Sequence, residues 1–346
     1  MSDREQGAAV ISSDTPLWQW VEERIRRAVY RYGYQEIRLP ILESAALFQG
    51  DAAAQPLEAA DVVLRPDGTP GCIKAVIGGR GTARQDAERV WYQGPMFRQG
   101  ESGPRQFHQF GVEAFGMPGA DIDAELILLT CDMFAALGLN RELSLEVNTL
   151  GTWHEQGGPL GADSQRHFAA LCHALDTEGV PYSVNPRLTS GRGYYSRTVF
   201  EWTWYEQHVR RVLCAGGRYD ELAAQCCGRP LAASGFAFDF EHLLRSVARD
   251  GHFESGDGPQ LVIRAQRPAQ GVDAVLLSQR LRRQCPTLSV ENQLSDESLT
   301  ELPASAKWVV TLLAGQSAEI WSREHGWSRR VELSQVVDVV AGRARP

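Results

Sequence analysis

VWYQGPMFRQGESGPRQFHQFGVEAFG, residues 90–116, is the stretch on which the reading of this chain turns. It divides into a strand, a short Gly/Pro/Ser loop and a second strand. The first strand ends on Arg98. In the second, a period of two puts Arg105, Phe107, Gln109, Gly111 and Glu113 on one face. A cation, an aromatic ring, an amide and a carboxylate in one row suit a ligand platform. An ordered polar exterior of a sheet is the alternative that the pattern alone leaves open.

Upstream, Leu17, Trp18, Val21, Ile25, Ala28 and Val29 recur at helical spacing. Thr15 is placed as N-cap with Pro16 behind it, and Gly33 closes the helix. Strands are expected over 36–41 and 62–64, the second running into the turn residues Arg65-Pro66-Asp67-Gly68. Downstream, Asp121 is placed to cap a helix over 122–137. Residues 143–148 alternate as a strand; 151–163 lack periodicity; Ser164 is placed to cap a helix reaching Leu175. Strands at 182–185, 197–204 and 209–215, a Gly216-Gly217 turn, and helices at 219–225 and 241–248 complete the layout. This is an α+β arrangement, a mostly antiparallel sheet flanked by helices.

DGHFESGDGP, residues 250–259, reads as a linker. Residues 260–346 follow as a smaller, alternating α/β unit, with strands at 261–263, 288–290 and 308–313 and helices at 272–283 and 336–340. Residues 1–14 read as a flexible lead without a secretory signal. At 346 residues and 43% apolar composition the chain suits two globular domains. Its 35 basic and 43 acidic side chains leave a net charge of −8, which argues against a large nucleic-acid surface. Seven scattered cysteines suggest reduced thiols and a cytoplasmic setting. Cys226 and Cys227 have no second pair at a zinc-ligand spacing, so no metal site is expected. No run of about 18 apolar residues exists, so no membrane span is expected.

Several blocks together resemble a known family. Residues 90–116 resemble motif 2 of class II aminoacyl-tRNA synthetases, specifically of histidyl-tRNA synthetase. YGYQEIRLPILESAALF (32–48) resembles motif 1, and LRPDGTPG (64–71) resembles the LRPEGT segment. RTVFEW (197–202) and CAGGRYDEL (214–222) resemble further signatures, and SGFAFDFEHLL (234–244) resembles motif 3. The blocks keep the family's order over residues 15–247. The resemblance implies a class II core, with residues 260–346 standing where the family has an α/β anticodon-binding domain.

The resemblance also assigns roles. Glu113 and Tyr195 would read the imidazole of histidine, since a carboxylate and a phenol suit its two nitrogens. Gln109, Tyr194 and Thr69 would line the amino-acid pocket, and Asp67 would hold the ammonium group in place of the family's glutamate. Arg98 matches the arginine that bridges carboxylate and α-phosphate, Phe107 the aromatic that stacks on adenine. Arg105 would join them at the nucleotide. Arg98, Arg105, Phe107 and Arg218 are the retained residues that favour intact chemistry.

Departures fall on the phosphate side. The motif 3 arginine that binds the γ-phosphate is replaced by His242. In SGRGYY (190–195), where the family has RGLDYY, the catalytic arginine falls on Ser190 and the aspartate on Gly193; Arg192, two residues on, is the available stand-in. The 99–104 loop and residues 151–163 are too short for the family's tRNA-contacting insertions. ATP with Mg2+ is the cofactor that the resemblance implies, and these losses argue against it. The expectation is a histidine-binding paralogue acting as a regulatory or sensor protein, dimeric through residues 32–48. The catalytic subunit of ATP phosphoribosyltransferase is one candidate partner, and tRNA contact is expected to be lost. The alternatives are an active histidine–tRNA ligase, and histidine activation with transfer to a non-tRNA acceptor.

Overall fold

The computed structural model describes residues 14–48, 54–56, 61–78, 87–100, 103–139, 143–151, 159–189, 195–206, 209–250, 253, 259–293, 302–303 and 305–343. The first apolar stripe makes α1 (Thr15–Arg31), whose Val21, Ile25, Ala28 and Val29 are buried. Asp14 rather than Thr15 precedes the first turn, and Pro16 sits where a missing N–H costs nothing. The strand expected over 36–41 is reduced to β1 (Gln35–Glu36). Proline donates nothing to a ladder, and Pro40 separates β1 from β2 (Leu42–Ser44). β3 (Gln55–Pro56) and β4 (Val62–Leu64) complete a three-stranded sheet of order β2-β4-β3, followed by α2 (Thr69–Gly78).

Next comes the long hairpin of β5 (Glu88–Gly100) and β6 (Gly103–Phe115). Its ladder sets Val90 opposite Glu113, Gly94 opposite Gln109, Arg98 opposite Arg105 and Gly100 opposite Gly103. The ladder thus takes in Gln99, Gly100, Gly103 and Pro104 of the Gly/Pro/Ser loop, because each further pair extends a ladder already in register.

α3 (Ala120–Ala136), β7 (Ser144–Thr149), α4 (Ala162–Thr177), β8 (Tyr182–Val184), β9 (Ser196–Glu206), β10 (Val209–Arg218), α5 (Asp220–Cys227), β11 (Ala233–Asp239) and α6 (Phe240–Asp250) follow. The caps of α3 and α4 are Gly119 and Gly161, both extended, so Asp121 and Ser164 lie inside the first turns instead. Glycine takes the extended cap conformation readily, and Asp121 still sets its charge against the helix N-terminus.

An eight-stranded sheet runs in the order β1-β5-β6-β11-β10-β9-β7-β8. Only the terminal pairs β1–β5 and β7–β8 are parallel. Helices α1, α3, α4 and α6 cover one face, where Phe110, Val112 and Ala114 of β6 enter the main core. There Trp91, Phe110, Phe238 and Phe236 stack in series across β5, β6 and β11, with centroids 5.3, 5.1 and 6.4 Å apart. The alternate residues of β6 face the other way, among Cys72 and Ile73 of α2 and Tyr92, Tyr195, Val199 and Tyr219.

The chain divides into two compact units, Met1–Phe253 and Glu254–Pro346. The second contains β12 (Leu261–Ala265), α7 (Gly271–Gln284), β13 (Val290–Gln293), β14 (Trp308–Leu312), β15 (Ser317–Ser322), β16 (Trp327–Glu332) and α8 (Val336–Val340). Its sheet has the order β13-β12-β14-β15-β16. β12 is parallel to both neighbours, while β14, β15 and β16 are antiparallel. The β15–β16 hairpin is missing from the alternating α/β reading, although Ala318, Ile320 and Ser322 are buried at a period of two. Among the described residues no helix is long and apolar enough to cross a membrane.

Candidate functional site: a pocket over β6, β11 and β10

The pocket is built from what the sheet omits. On its open face Glu113 of β6 lies beside Gly235 of β11, which lies beside Gly217 of β10. The next row is Gly111, Ala237 and Ala215. Gly235, Ala237 and Ala215 floor a depression walled by Thr69, Arg98, Phe107, Gln109, Glu113, Tyr195 and Tyr219 and flanked by Asp239.

Glu113 is 1% exposed. Thr69 Oγ1 donates to its Oε1 at 2.7 Å, and the Tyr219 hydroxyl donates to its Oε2. Burial pushes its carboxyl up to about 8, against the opposing pull of the Tyr219 and Thr69 hydrogen bonds. Among the described residues no cation pairs with it. A Cβ on Gly235 would overlap Oε2, so the acid's position depends on that glycine.

The turn before α2 supplies the second wall. Asp67 Oδ1 accepts from the Thr69 N–H at 3.0 Å, an Asx-type turn, and Oδ2 stands 3.4 Å from Arg98 Nη2. Gln109 Oε1 accepts from the Gly68 N–H at 3.0 Å and from the Tyr92 hydroxyl at 3.1 Å. That orients the amide, with Nε2 left for a ligand. The Tyr92 ring fills the space that a Cβ on Gly68 or Gly111 would take. Tyr92→Phe removes one buried hydrogen bond; it is expected to lower stability by about 1 kcal/mol in urea unfolding. Arg65, buried, donates to Pro95 O, Leu39 O and Pro40 O, tying this segment to β5.

Arg98 lies with its guanidinium 4.6 Å over the Phe107 ring, while its Nε donates to Pro66 O at 2.8 Å. In this structure the cation suited to an anion and the carboxylate suited to an ammonium are held together. His242 is not part of the wall. Its N–H donates to Asp239 Oδ1 at 3.1 Å, and its ring Nδ1 is 3.9 Å from Asp239 Oδ2. Arg105 pairs with Arg98 in the backbone ladder; its side chain lies outside the described residues, as do Ser190, Arg192, Gly193 and Tyr194.

Arg218 requires a correction. It is fully buried and supplies no pocket wall. Its Nε and Nη2 donate to Asp123, Nη2 also to Gly119 O, and Nη1 to Met117 O and Asp220 Oδ1. All five of its N–H donors are thereby engaged. His167 and Thr198 complete the shell of Asp123 at 2.7 and 2.6 Å. This arginine joins β10 to α3 and is not available to phosphate.

The pocket therefore brings together Thr69, Arg98, Phe107, Gln109, Glu113 and Tyr195, with Asp67 bonded to Thr69 and Arg98 beside it. Tyr219, bonded to Glu113, and Tyr92, bonded to Gln109, are the residues at the pocket that sequence reading passed over. Tyr219 follows Gly216-Gly217-Arg218, and a phenol next to a glycine pair was the available signal; Tyr92 stands directly across the ladder from Gly111. Chemically, the arrangement offers an acid held by neutral donors, an amide nitrogen, and an ion pair that a zwitterion can enter.

A profile of the histidyl-tRNA synthetase family matches residues 12–156 and 158–243. Among solved structures, apo histidyl-tRNA synthetase from S. aureus aligns with a TM-score of 0.80 at 24% identity, over 96% of this chain and 97% of that one. Histidyl-tRNA synthetase from Nostoc sp. PCC 7120 gives 0.73 at 16% identity, over 99% of each. An ATP phosphoribosyltransferase regulatory subunit/histidyl-tRNA synthetase from Bacillus halodurans gives 0.68 at 19% identity, over 87% of this chain and 94% of that one. The structural likenesses carry the fold, and the profile covers most of the larger unit; the chain belongs to the histidyl-tRNA synthetase family.

Proposed function

We propose that this chain is a histidine-binding paralogue of histidyl-tRNA synthetase that acts as a regulatory or sensor protein. One observation carries this reading: the groups around the pocket are sorted. Those suited to an amino acid converge on it, while the position of the γ-phosphate arginine holds His242, outside the wall. A neutral imidazole cannot grip a triphosphate through paired charged hydrogen bonds as a guanidinium does. Arg218, one of the three cations that favoured intact chemistry, is engaged elsewhere. Bound histidine would set its imidazole against Glu113 and Tyr195, its ammonium on Asp67 and its carboxylate on Arg98. ATP with Mg2+ is not required for that binding.

The working form is a cytoplasmic homodimer through residues 32–48, where Ile41 and Leu42 are exposed. Its output is exerted on a partner enzyme. The catalytic subunit of ATP phosphoribosyltransferase is one candidate, because a regulatory subunit of that enzyme shares the fold. Ligation of histidine to tRNA, or its transfer to another acceptor, is the second reading, favoured by Arg98 and Phe107 standing together at the pocket.

Calorimetry with histidine and histidine-dependent ATP–pyrophosphate exchange separate the two. The expected result is saturable binding heat without exchange. Robust exchange overturns the regulatory reading, and tRNA charging then identifies the acceptor. No binding heat removes the basis for both.

A further inference from the structure

We infer that the occupant of this pocket is an imidazole base that shares one proton with Glu113, so that the bound pair holds a single proton whatever the pH at which it forms. The inference deepens the histidine reading above and rests on it.

Glu113 is buried, faces the pocket and has one neutral hydroxyl on each oxygen. Among the described residues, the groups packed around it carry no compensating charge. α2 presents Thr69 and the Cys72 thiol, which burial keeps protonated. The β10–α5 junction presents Tyr219, β11 presents Gly235, and β5 presents Val90 and Tyr92; Tyr195 stands at the start of β9. Elsewhere in the wall Arg98 is paired with Asp67, and Asp239 stands at the far end of the β6–β11 ladder, opposite Gln109. A carboxyl in such surroundings keeps its proton until a cation arrives; with none beside it among the described residues, the ligand is the cation's source in this inference.

When a neutral imidazole meets the protonated acid, the O–H bond breaks and an N–H bond forms. An imidazolium–carboxylate pair results, with no exchange of protons with solvent. Free histidine holds its own ring proton below about pH 6.5, so binding there releases one proton. Glu113 has lost its proton above about pH 8, so binding there takes one up. Affinity is therefore flat between these limits and falls about tenfold per pH unit on either side.

Titration of the full chain with L-histidine, in buffers of differing ionisation enthalpy, tests this at about pH 5.5, 7.2 and 9. The α-amino group of histidine also titrates at the alkaline point, so Glu113→Gln supplies the baseline. The expected result is release of about one proton at the acid point and none at the neutral one. At the alkaline point wild type should take up about one proton more than the variant. Equal uptake by both, or uptake of a proton by wild type at neutral pH, overturns the inference while leaving histidine binding intact. If Glu113→Gln does not fold, Tyr219→Phe serves: losing a donor to the ionised acid moves the alkaline limb to higher pH, and an unmoved limb overturns the inference. A folded wild-type protein that gives no heat with histidine at any pH overturns the histidine reading and this inference together.

Discussion

Replacing Arg218 with methionine is expected to destabilise the protein by about 3–5 kcal/mol, which lowers the melting temperature of its unit by about 6–20 °C. Methionine fills much of the stem volume but leaves Asp123, 0% exposed, without its buried cation. Met117 O and Gly119 O lose their donors as well. Burial by itself would raise the Asp123 carboxyl; the His167 hydrogen bond, the Arg218 charge and the Thr198 hydroxyl reverse that and hold it below the usual carboxylate range. A depressed folded value means stabilisation that is present above about pH 3.9 and is lost as pH falls through the folded value. Wild type should therefore lose stability on acidification below about pH 4. In Arg218→Met burial regains the upper hand, and that acid-sensitive contribution shrinks. Thermal melts of both proteins across this range are the measurement. A variant within about 1 kcal/mol of wild type at neutral pH would show that the pair is not structural.

Gly235→Ala is expected to weaken histidine binding by about 10- to 150-fold, the loss of one charge-assisted hydrogen bond. The added methyl overlaps Glu113 Oε2 and stands 2.5 Å from Val112 O. The backbone carbonyl cannot retreat without opening the β6–β11 ladder, so the acid must swing off Thr69 and Tyr219. Overpacking of this kind costs about 1–3 kcal/mol of stability. Circular dichroism and urea unfolding, run beside calorimetry, separate a folded protein with a spoiled pocket from an unfolded one. Wild-type affinity in a folded Gly235→Ala would mean that Glu113 does not hold the ligand.

The parts of the site legible in the sequence were those written in local periodicity. The alternation of Phe107, Gln109, Gly111 and Glu113 survives intact, because register in a half-buried strand is set by the opposite, apolar face. Asp67 and Thr69 were legible as turn residues for the same local reason. Arg218 was not: between a glycine pair and an aspartate it resembles a functional cation, and Asp123, its chief partner, lies 95 residues away. Tyr92 and Tyr219 act on Gln109 and Glu113 across strands, and nothing in their own neighbourhoods announces the pairing. Helix starts drifted by two residues at Gly119 and three at Gly161, where an extended glycine did the work expected of Asp121 and Ser164. The β15–β16 hairpin was legible and missed; its short alternating runs were subsumed in an α/β pattern.

A floor of glycines and alanines should be the softest region of a sheet, since it lacks the interlocking side chains that stiffen strands. Here the stiffness comes from the reverse side. The four rings of Trp91, Phe110, Phe238 and Phe236 cross-brace β5, β6 and β11 directly behind the pocket. Distances that a ligand would sense to a fraction of an ångström are therefore governed by rings on the reverse face of the sheet, and loosening that bracing would blur the cavity while leaving every polar group around it chemically unchanged.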